Sequence, residues 1–216
     1  MTHNEYLKLG KELQTLSKTA PLNWGSIQNN VTDRKIDMFS CPSLEDLDSK
    51  IRRLSTEDQN YFRRRWFIWK CSQVDEYLFY RESNVKKNAN SMDKCWDIEF
   101  NDSLRFDLKG TVVPKALRTN FTTNKEKEII NFYYSKQSKG MRYDIQNRLF
   151  VVRLSFRKEE RSIFLRCHWK LKEEAYKEFN KRLTNSEINL IEFSGVTAKC
   201  IFILETSDKD FVYEIR

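Results

Sequence analysis

The sequence is poor in the residues that build flexible or phosphate-binding loops. Of its 216 residues only five are glycine and three are proline, a composition that argues against a long disordered linker. It contains no glycine-rich loop of the P-loop type, which excludes nucleotide hydrolysis of that kind. Histidine is equally scarce. His3 lies at the N-terminus and His168 stands beside Trp169, where packing is a more common role for histidine than catalysis.

The sequence also lacks paired cysteines and long apolar runs. The five cysteines are Cys41, Cys71, Cys95, Cys167 and Cys200. No two lie within four residues of each other, which excludes a zinc ribbon and a redox CxxC motif, so we expect reduced and mostly buried thiols. The N-terminus has no signal-peptide pattern, and no apolar run approaches the roughly 20 residues needed to span a membrane. These features predict a cytoplasmic protein without a membrane partner.

What the sequence does have is an apolar, aromatic-rich composition and an excess of positive charge. Hydrophobic residues make up 39% of the chain and aromatic residues 13%, which is enough for a sizeable core. The formal net charge is +8. A basic balance favours polyanionic partners such as nucleic acid, although it does not define a fold. The length suits one large domain, or one domain with an extension.

Periodicity and punctuation predict a chain of alternating helices and strands. The predicted helices are residues 4–18, 43–54, 55–82, 123–140 and 171–183. The predicted strands are residues 96–100, 104–111, 149–156, 189–193, 199–205 and 211–215. Residues 19–42 and 83–94 are predicted to be irregular. Ser43 is expected to cap the second helix, and Thr123 with Glu126 is expected to form a capping box at the start of the fourth.

The most informative segment is residues 96–111, which reads as two strands joined by a tight turn. Side chains alternate between the faces of a strand, so each of these strands has one apolar and one charged face. With Asn101–Ser103 as a three-residue loop and both apolar faces on the core, Asp97 stands directly opposite Asp107. Like charges at such pairs, whose Cβ atoms lie about 5 Å apart, are destabilising. The pattern therefore favours a divalent cation bound between the two carboxylates.

An aspartate followed ten residues later by Asp-x-Lys on a strand resembles the PD-(D/E)xK, or restriction-endonuclease-like, nuclease superfamily. The matching residues are Asp97 and Asp107-Leu108-Lys109. The resemblance covers roughly residues 76–156, and Trp96 stands where the family name places a proline. It implies an α/β (α+β) domain in which helices flank a mixed central sheet. We accordingly expect an N-terminal helical region over 1–55 and a nuclease-like α/β domain over 56–216.

The resemblance also implies a further acidic residue on the first helix of the core. Glu76 is the best candidate, because it shares a helix stripe with Trp69 and Gln73. Asp75 and Glu82 are the alternatives. A solvated helix charge is the competing interpretation of Glu76.

Phosphodiester hydrolysis explains why these residue types belong together. A divalent ion lowers the pKa of its bound water and neutralises charge that develops on the phosphate. Asp97 and Asp107 are predicted to bind Mg²⁺ or Mn²⁺, with the backbone carbonyl of Leu108 as a further ligand, and Lys109 to direct its ammonium at the phosphate or the attacking water. We expect the acids and Lys109 on one solvent-reachable patch. The alternative is an ordinary surface sheet whose Asp107–Lys109 ion pair contributes about 0–1 kcal/mol.

Basic residues that follow this segment are candidate phosphate contacts. Lys115 and Arg118 come after the second strand, and Arg142 lies near the end of the next predicted helix. Such contacts position a nucleic acid without reading its sequence. The segment Gln146–Arg148 has two interpretations: it reaches the site from a neighbouring strand, or it forms an exposed turn.

Together these features predict a metal-dependent endonuclease that hydrolyses DNA, with duplex DNA favoured. A restriction enzyme and a defence, repair or mobile-element nuclease are both compatible settings. A homodimer would suit a double-strand cutter, because two nicks across a duplex usually require two active sites. Two alternatives stay open. One is a non-catalytic nucleic-acid-binding subunit with the same fold, and the other is a protein-interaction module whose positive charge meets an acidic partner.

Overall fold

The chain divides into two compact units, residues 1–74 and residues 75–216. The computed structural model describes residues 1–19, 29–90, 93, 95–136 and 146–216. The division falls within a long helix, whereas the boundary expected from the sequence lies just before that helix. Within the described ranges, no helix has both the length and the apolar character that crossing a membrane requires.

The first unit is helical. Its helices are α1 (His3–Thr19), α2 (Asn30–Asp33), α3 (Leu44–Ile51) and most of α4 (Thr56–Tyr80). Leu13, Leu47 and Phe62 are among its fully buried side chains. Ser43 caps α3 as predicted: its hydroxyl accepts from the Asp46 N–H, and the Asp46 carboxylate accepts from the Ser43 N–H. This reciprocal pair satisfies two of the donors that a helix start leaves without partners.

The second unit is built on one seven-stranded mixed sheet. Its strands are β1 (Val85–Lys87), β2 (Ile98–Phe100), β3 (Leu104–Val112), β4 (Arg148–Ser155), β5 (Ile191–Phe193), β6 (Val196–Glu205) and β7 (Phe211–Ile215). The order is β1-β2-β3-β4-β6-β5, and β7 also pairs with β6. The first three strands are antiparallel, β3, β4 and β6 are parallel, and β5 and β7 run antiparallel to β6. The predicted mixed sheet is confirmed.

Helices cover both faces of this sheet. Parallel neighbouring strands require a crossover connection, and α5 (Glu126–Lys136) lies between β3 and β4, while α6 (Trp169–Thr184) lies between β4 and β6. On one face α5 completes an apolar cluster that includes Phe150. On the other face the Phe79 ring of α4 stacks on Tyr176 of α6, with ring centroids 4.1 Å apart. The expected arrangement of a central sheet flanked by helices is therefore present.

Strand β1 is absent from the sequence prediction, which assigns loop to residues 83–94. The segment Val85–Lys87 is short and two of its three residues are lysines, so its pattern does not distinguish a strand from a loop. The segment is a strand because it pairs with β2. In that pairing Val85 lies opposite Phe100. The loop prediction is wrong for these three residues.

Glu126 ties the start of α5 to β6. Its carboxylate accepts the Cys200 N–H at 2.7 Å and pairs with the Lys199 ammonium at 2.9 Å. Both partners lie between the stretches of β6 that pair with β5 and with β7, where the outer edge of β6 is open to a side chain. The predicted capping box is therefore wrong, and the Thr123 hydroxyl donates to Glu214 at 2.6 Å instead.

Candidate active site

The β2–β3 hairpin has the register that the alternation of its side chains predicts. Ile98 lies opposite Phe106, and both side chains are fully buried. The strand pairing ends at Ile98 and Phe106. The Asp97 N–H donates to the Phe106 carbonyl at 2.8 Å, so Asp97 and Ile98 both face Phe106, as in a β-bulge, and the direct pairing of Asp97 with Asp107 that the sequence predicts is not formed. Asn101 begins the three-residue loop with a φ of 50°, a left-handed conformation that asparagine tolerates.

Strands β2 and β3 separate at Asp97. From Leu108 to Val112, the edge of β3 that faced β2 is hydrogen-bonded to side chains instead of to a neighbouring strand. Three hydrogen bonds do this: the Leu108 N–H to Asp97 Oδ2 at 2.7 Å, Arg166 Nη2 to the Gly110 carbonyl at 3.0 Å, and the Tyr133 hydroxyl to the Val112 carbonyl at 2.5 Å. We call this region the fork. The Asp97 carboxylate is therefore held against the strand that carries Asp107 and Lys109.

Asp107 is buried between two cations that come from different strands. Its Oδ1 pairs with Lys109 on β3, and its Oδ2 lies 3.3 Å from Nε of Arg148, the first residue of β4. The parallel register aligns Asp107 with Arg148. Among the described residues, neither Oδ2 nor Nε has a hydrogen-bond partner of good geometry. With only 3% of Asp107 exposed, the expectation that it lies on a solvent-reachable patch is wrong.

The start of β4 is fixed in place around Arg148. The guanidinium lies over the Tyr134 ring, 5.0 Å from its centroid, and the Tyr134 hydroxyl donates to the Gln146 carbonyl at 2.7 Å. Asn147 Oδ1 accepts the Thr197 N–H at 2.8 Å. Of the two interpretations of this segment, the structure supports the one in which it reaches the site from the neighbouring strand.

Glu76 is the helix carboxylate that interacts with the hairpin acids. Its Oε2 lies 3.0 Å from the ammonium of Lys87 on β1. Burial raises the pKa of Glu76, while Lys87 and, more weakly, Lys109 lower it. The charge of Glu76 in turn acts on Asp97. The direct contact of Glu76 is therefore with Lys87, and its charge acts on Asp97 without a contact between the two carboxylates.

The two competing helix acids lie elsewhere. Asp75 is buried, where it accepts a hydrogen bond from the Tyr176 hydroxyl at 2.9 Å and pairs with Lys172. Glu82 comes after Tyr80, the last residue of α4. Successive residues of a helix point in different directions around its axis. Asp75 therefore faces the interior, and the next residue, Glu76, faces Lys87 on β1.

Asp97 has the largest electrostatic perturbation among the predicted site residues. Burial raises its pKa from 3.8 to about 6, and repulsion from Asp107 and Glu76 adds to the increase. The Leu108 N–H and the Lys109 ammonium act in the opposite direction. A strongly shifted acid with specific charged neighbours is characteristic of functional sites.

The two predicted phosphate contacts that the structure describes, Lys115 and Arg118, are not gathered beside these acids. Lys115 begins a 3-10 turn beyond the far end of β3. The strand from Asp107 to Val112 covers roughly 17 Å at about 3.3 Å per residue. Arg118 Nε donates to the Val113 carbonyl at 2.9 Å. Arg142 lies outside the described residues, and the part these three play in nucleic-acid binding stays a prediction.

Lys87 is the site residue that the sequence alone does not reveal. It belongs to β1, which the sequence pattern assigns to a loop, and it reaches Glu76 only because β1 pairs with β2. The available signal was a Val-Lys-Lys run between the long helix and the hairpin, which is too short to decide between strand and loop.

The donor chemistry of the site fits a hard divalent cation. Asp97, Asp107 and Glu76 offer carboxylate oxygens, and Asp107 Oδ2 is a buried oxygen without a good hydrogen bond among the described residues. In that part of the chain, no three His, Cys, Asp or Glu side chains are close enough to hold a metal by themselves. Mg²⁺ commonly uses one or two protein carboxylates and completes its shell with waters and phosphate oxygens, so two acids satisfy its requirement.

Comparisons of the chain with protein-family models, with curated proteins and with solved structures find no match. Any functional conclusion therefore depends on the residues of the site itself.

Proposed function

We propose that the protein is a metal-dependent endonuclease that hydrolyses the phosphodiester bonds of DNA. The observation that carries this proposal is the hydrogen bond that holds the Asp97 carboxylate on the Leu108 N–H at the fork, between Asp107 and Lys109, which pair with each other on the same strand. The order helix, strands, helix, strand from α4 to β4 agrees with the order that the superfamily resemblance implies, and it supports the same proposal.

Each residue of the site has a role in this proposal. Asp97 and Asp107 would supply oxygen ligands to Mg²⁺ or Mn²⁺, and the Leu108 carbonyl is a further proposed ligand. Glu76 is the additional acid that the resemblance implies. When bound, the ion supplies a water of lowered pKa and neutralises charge that develops on the phosphate. Lys109, about one third exposed, directs its ammonium at the phosphate or at the attacking water.

The net charge of +8 supports duplex DNA as the substrate, because phosphate neutralisation supplies most of the sequence-independent affinity for DNA. A homodimer would place two sites on opposite strands of a duplex. A restriction, defence or repair setting is part of the proposal and is carried by the resemblance.

A second candidate is a nucleic-acid-binding subunit that does not cut. The observation in its favour is that Lys109 and Arg148 already neutralise Asp107, so the acid has partners without any metal. In that case the acids and cations at the fork form a structural network, and the protein binds DNA through its basic surface.

Incubation with supercoiled plasmid, with and without Mg²⁺ or Mn²⁺, separates the two candidates. We expect metal-dependent nicking or linearisation by the wild type, and at least a hundredfold loss in Asp107→Asn and in Lys109→Ala. Asp107→Asn removes the charge that holds the metal, and Lys109→Ala removes the ammonium that stabilises the reaction.

Matched controls are available on exposed surfaces. Asp102→Asn makes the same change in the hairpin loop, at a φ of 55° that asparagine tolerates, and Lys127→Ala makes the lysine change on the exposed side of α5. Both controls should cut like the wild type. Metal-dependent cutting at the wild-type rate by both site variants, with circular dichroism showing them folded, would contradict the nuclease proposal.

A further inference from the structure

Strand β7 is an edge strand that lacks the usual protection against pairing with another chain. It has five residues, whereas β1 and β5, at the two ends of the sheet order, have three each. Strand β7 pairs with β6 on one side, and no strand among the described residues pairs with its other side. Short length, lysine and proline commonly keep edge strands apart. The segment Phe211–Ile215 contains neither lysine nor proline, and the side chains of Phe211 and Val212 are exposed.

The outer edge of β7 presents the backbone groups of alternate residues. The Thr206 N–H donates to the Asp210 carbonyl at 2.9 Å, so Asp210 and every second residue after it direct their backbone groups at β6. The outward N–H and C=O groups belong to the other residues of the strand: Phe211, Tyr213 and Ile215. Arg182 Nη1 donates to the Ile215 carbonyl at 2.8 Å, which agrees with this assignment. The remaining outward groups are available to a further strand.

The charges along this edge are complementary to the same edge of a second copy. Opposed residues of an antiparallel pair share a face of the sheet. Pairing of Tyr213 with its own counterpart places Asp210 opposite Arg216, and two-fold symmetry makes this contact twice. The next registers that keep the faces place Glu214 opposite Asp210 or opposite its own counterpart. Like charges at opposed positions are destabilising, so the register centred on Tyr213 is favoured.

Arg216 is placed to bind a second acid. Its Nη2 pairs with Glu214 at 2.8 Å, and its Nε donates to Thr123 Oγ1 at 2.7 Å. These contacts hold the guanidinium on the face of the sheet that Glu214 and Asp210 share by alternation. A guanidinium has five N–H donors, and 49% of the Arg216 side chain is exposed. Donors are therefore left for the Asp210 carboxylate of a second copy.

We propose that two copies of the protein associate through β7, in an antiparallel pairing centred on Tyr213 that joins the two sheets into one. The partner is a second copy because the edge is complementary in charge to itself. The inference does not depend on nuclease activity, and it gives the homodimer of the proposed function a defined surface.

Sedimentation velocity of the whole protein tests the pairing of the backbones. We expect the wild type to be a dimer at micromolar concentration. Tyr213→Pro removes the outward N–H at the centre of the pairing without removing a bond to β6, a position at which an edge strand tolerates proline. We expect this variant to be a monomer. Tyr213→Ala is the matched control, because it loses the ring but keeps the N–H, and it should stay dimeric. Circular dichroism checks that both variants are folded.

A charge exchange tests the register. Asp210→Arg and Arg216→Asp should each raise the dissociation constant of the dimer on the order of tenfold, because each replaces two opposite-charge contacts with two like-charge contacts. The two substitutions together should restore most of the affinity. Asp208→Arg makes the same charge change in the same exposed turn, farther from the strand, and it should dimerise like the wild type.

Two results would overturn the inference. One is a wild type that stays monomeric at these concentrations. The other is a dimer that Tyr213→Pro and both single charge reversals leave intact, because such a dimer uses another surface. Neither result bears on metal-dependent cleavage, which the plasmid assay measures separately.

Discussion

Asp97 has two roles that oppose each other energetically. Its carboxylate fills the place of a strand at the fork, yet burial and two neighbouring acids disfavour its negative charge. Because the pKa in the folded protein is raised from 3.8 to about 6, ionised Asp97 reduces stability above pH 6. Protonation removes that cost as the pH falls towards 4.

Asp97→Asn should therefore stabilise the metal-free protein at pH 7.5. The amide keeps an oxygen that can accept the Leu108 N–H and carries no charge. After a discount for partial solvent exposure, we expect a gain on the order of 1 kcal/mol in the free energy of unfolding. Urea unfolding in EDTA should show this gain shrinking between pH 7.5 and pH 5. A difference between variant and wild type that does not change with pH would contradict the raised pKa.

Asp107→Asn should lower stability, although it is nearly isosteric. The polar face of a hairpin suggests a harmless change, but Asp107 is buried against Arg148. Neutralising the acid leaves the buried guanidinium facing an amide, which we expect to cost about 2 kcal/mol. Urea unfolding measures the change, with Asp102→Asn as the exposed comparison. Equal unfolding midpoints for both variants would show that the Arg148 contact contributes little.

At the scale of elements, Glu126 adds a polar tie between α5 and β6 to their apolar packing. Glu126→Gln keeps an oxygen for the Cys200 N–H but leaves the Lys199 ammonium, which is 3% exposed, without its anionic partner. We expect the free energy of unfolding to fall by about 2–4 kcal/mol. The measurement is urea unfolding beside Glu128→Gln, an exposed glutamate on the same helix. If the two variants unfold alike, the Glu126–Lys199 pair does not stabilise the fold.

Elements with strong local signals were predictable from the sequence. Alternation and loop length determine the β2–β3 register, because a shift by one residue would turn Ile98 and Phe106 to the wrong face. The capping signal at Thr123 and Glu126 failed for a physical reason. An acid at a helix start can bond to its own helix or to a neighbouring strand, and the sequence does not show that the outer edge of β6 has an open N–H at Cys200.

The acids of the site and Lys109 could be predicted from the sequence, but the cations Arg148 and Lys87 could not. Asp97, Asp107 and Lys109 follow from local alternation on two consecutive strands. Arg148 reaches Asp107 through the parallel register of β3 with β4, and Lys87 reaches Glu76 through the pairing of β1 with β2. Both contacts depend on strand pairing across long loops, which local patterns do not determine.

At the scale of the whole molecule, the net positive charge leads to the remaining prediction. Affinity for duplex DNA should fall steeply as salt rises from 50 to 200 mM, because binding that releases counterions depends on ionic strength. Lys115→Ala should weaken binding to all sequences alike and reduce the slope of log K against log salt by about 1. Fluorescence anisotropy with a labelled duplex measures both. An affinity that stays flat with salt would exclude phosphate neutralisation as the basis of binding.

The fork has a consequence for how these molecules behave towards one another. An open strand edge is a template for pairing with other chains, and such pairing leads to aggregation. Beyond Asp97, three of the outward hydrogen-bonding groups of β3 are already used by side chains, so an intruding strand would have to displace all three side chains. One of them is the acid that we assign to the metal. Replacing Asp97 with alanine would remove a metal ligand and would also leave the Leu108 N–H of this strand edge without its hydrogen-bond partner. The Asp97→Ala variant should therefore aggregate at concentrations at which Asp97→Asn stays monodisperse.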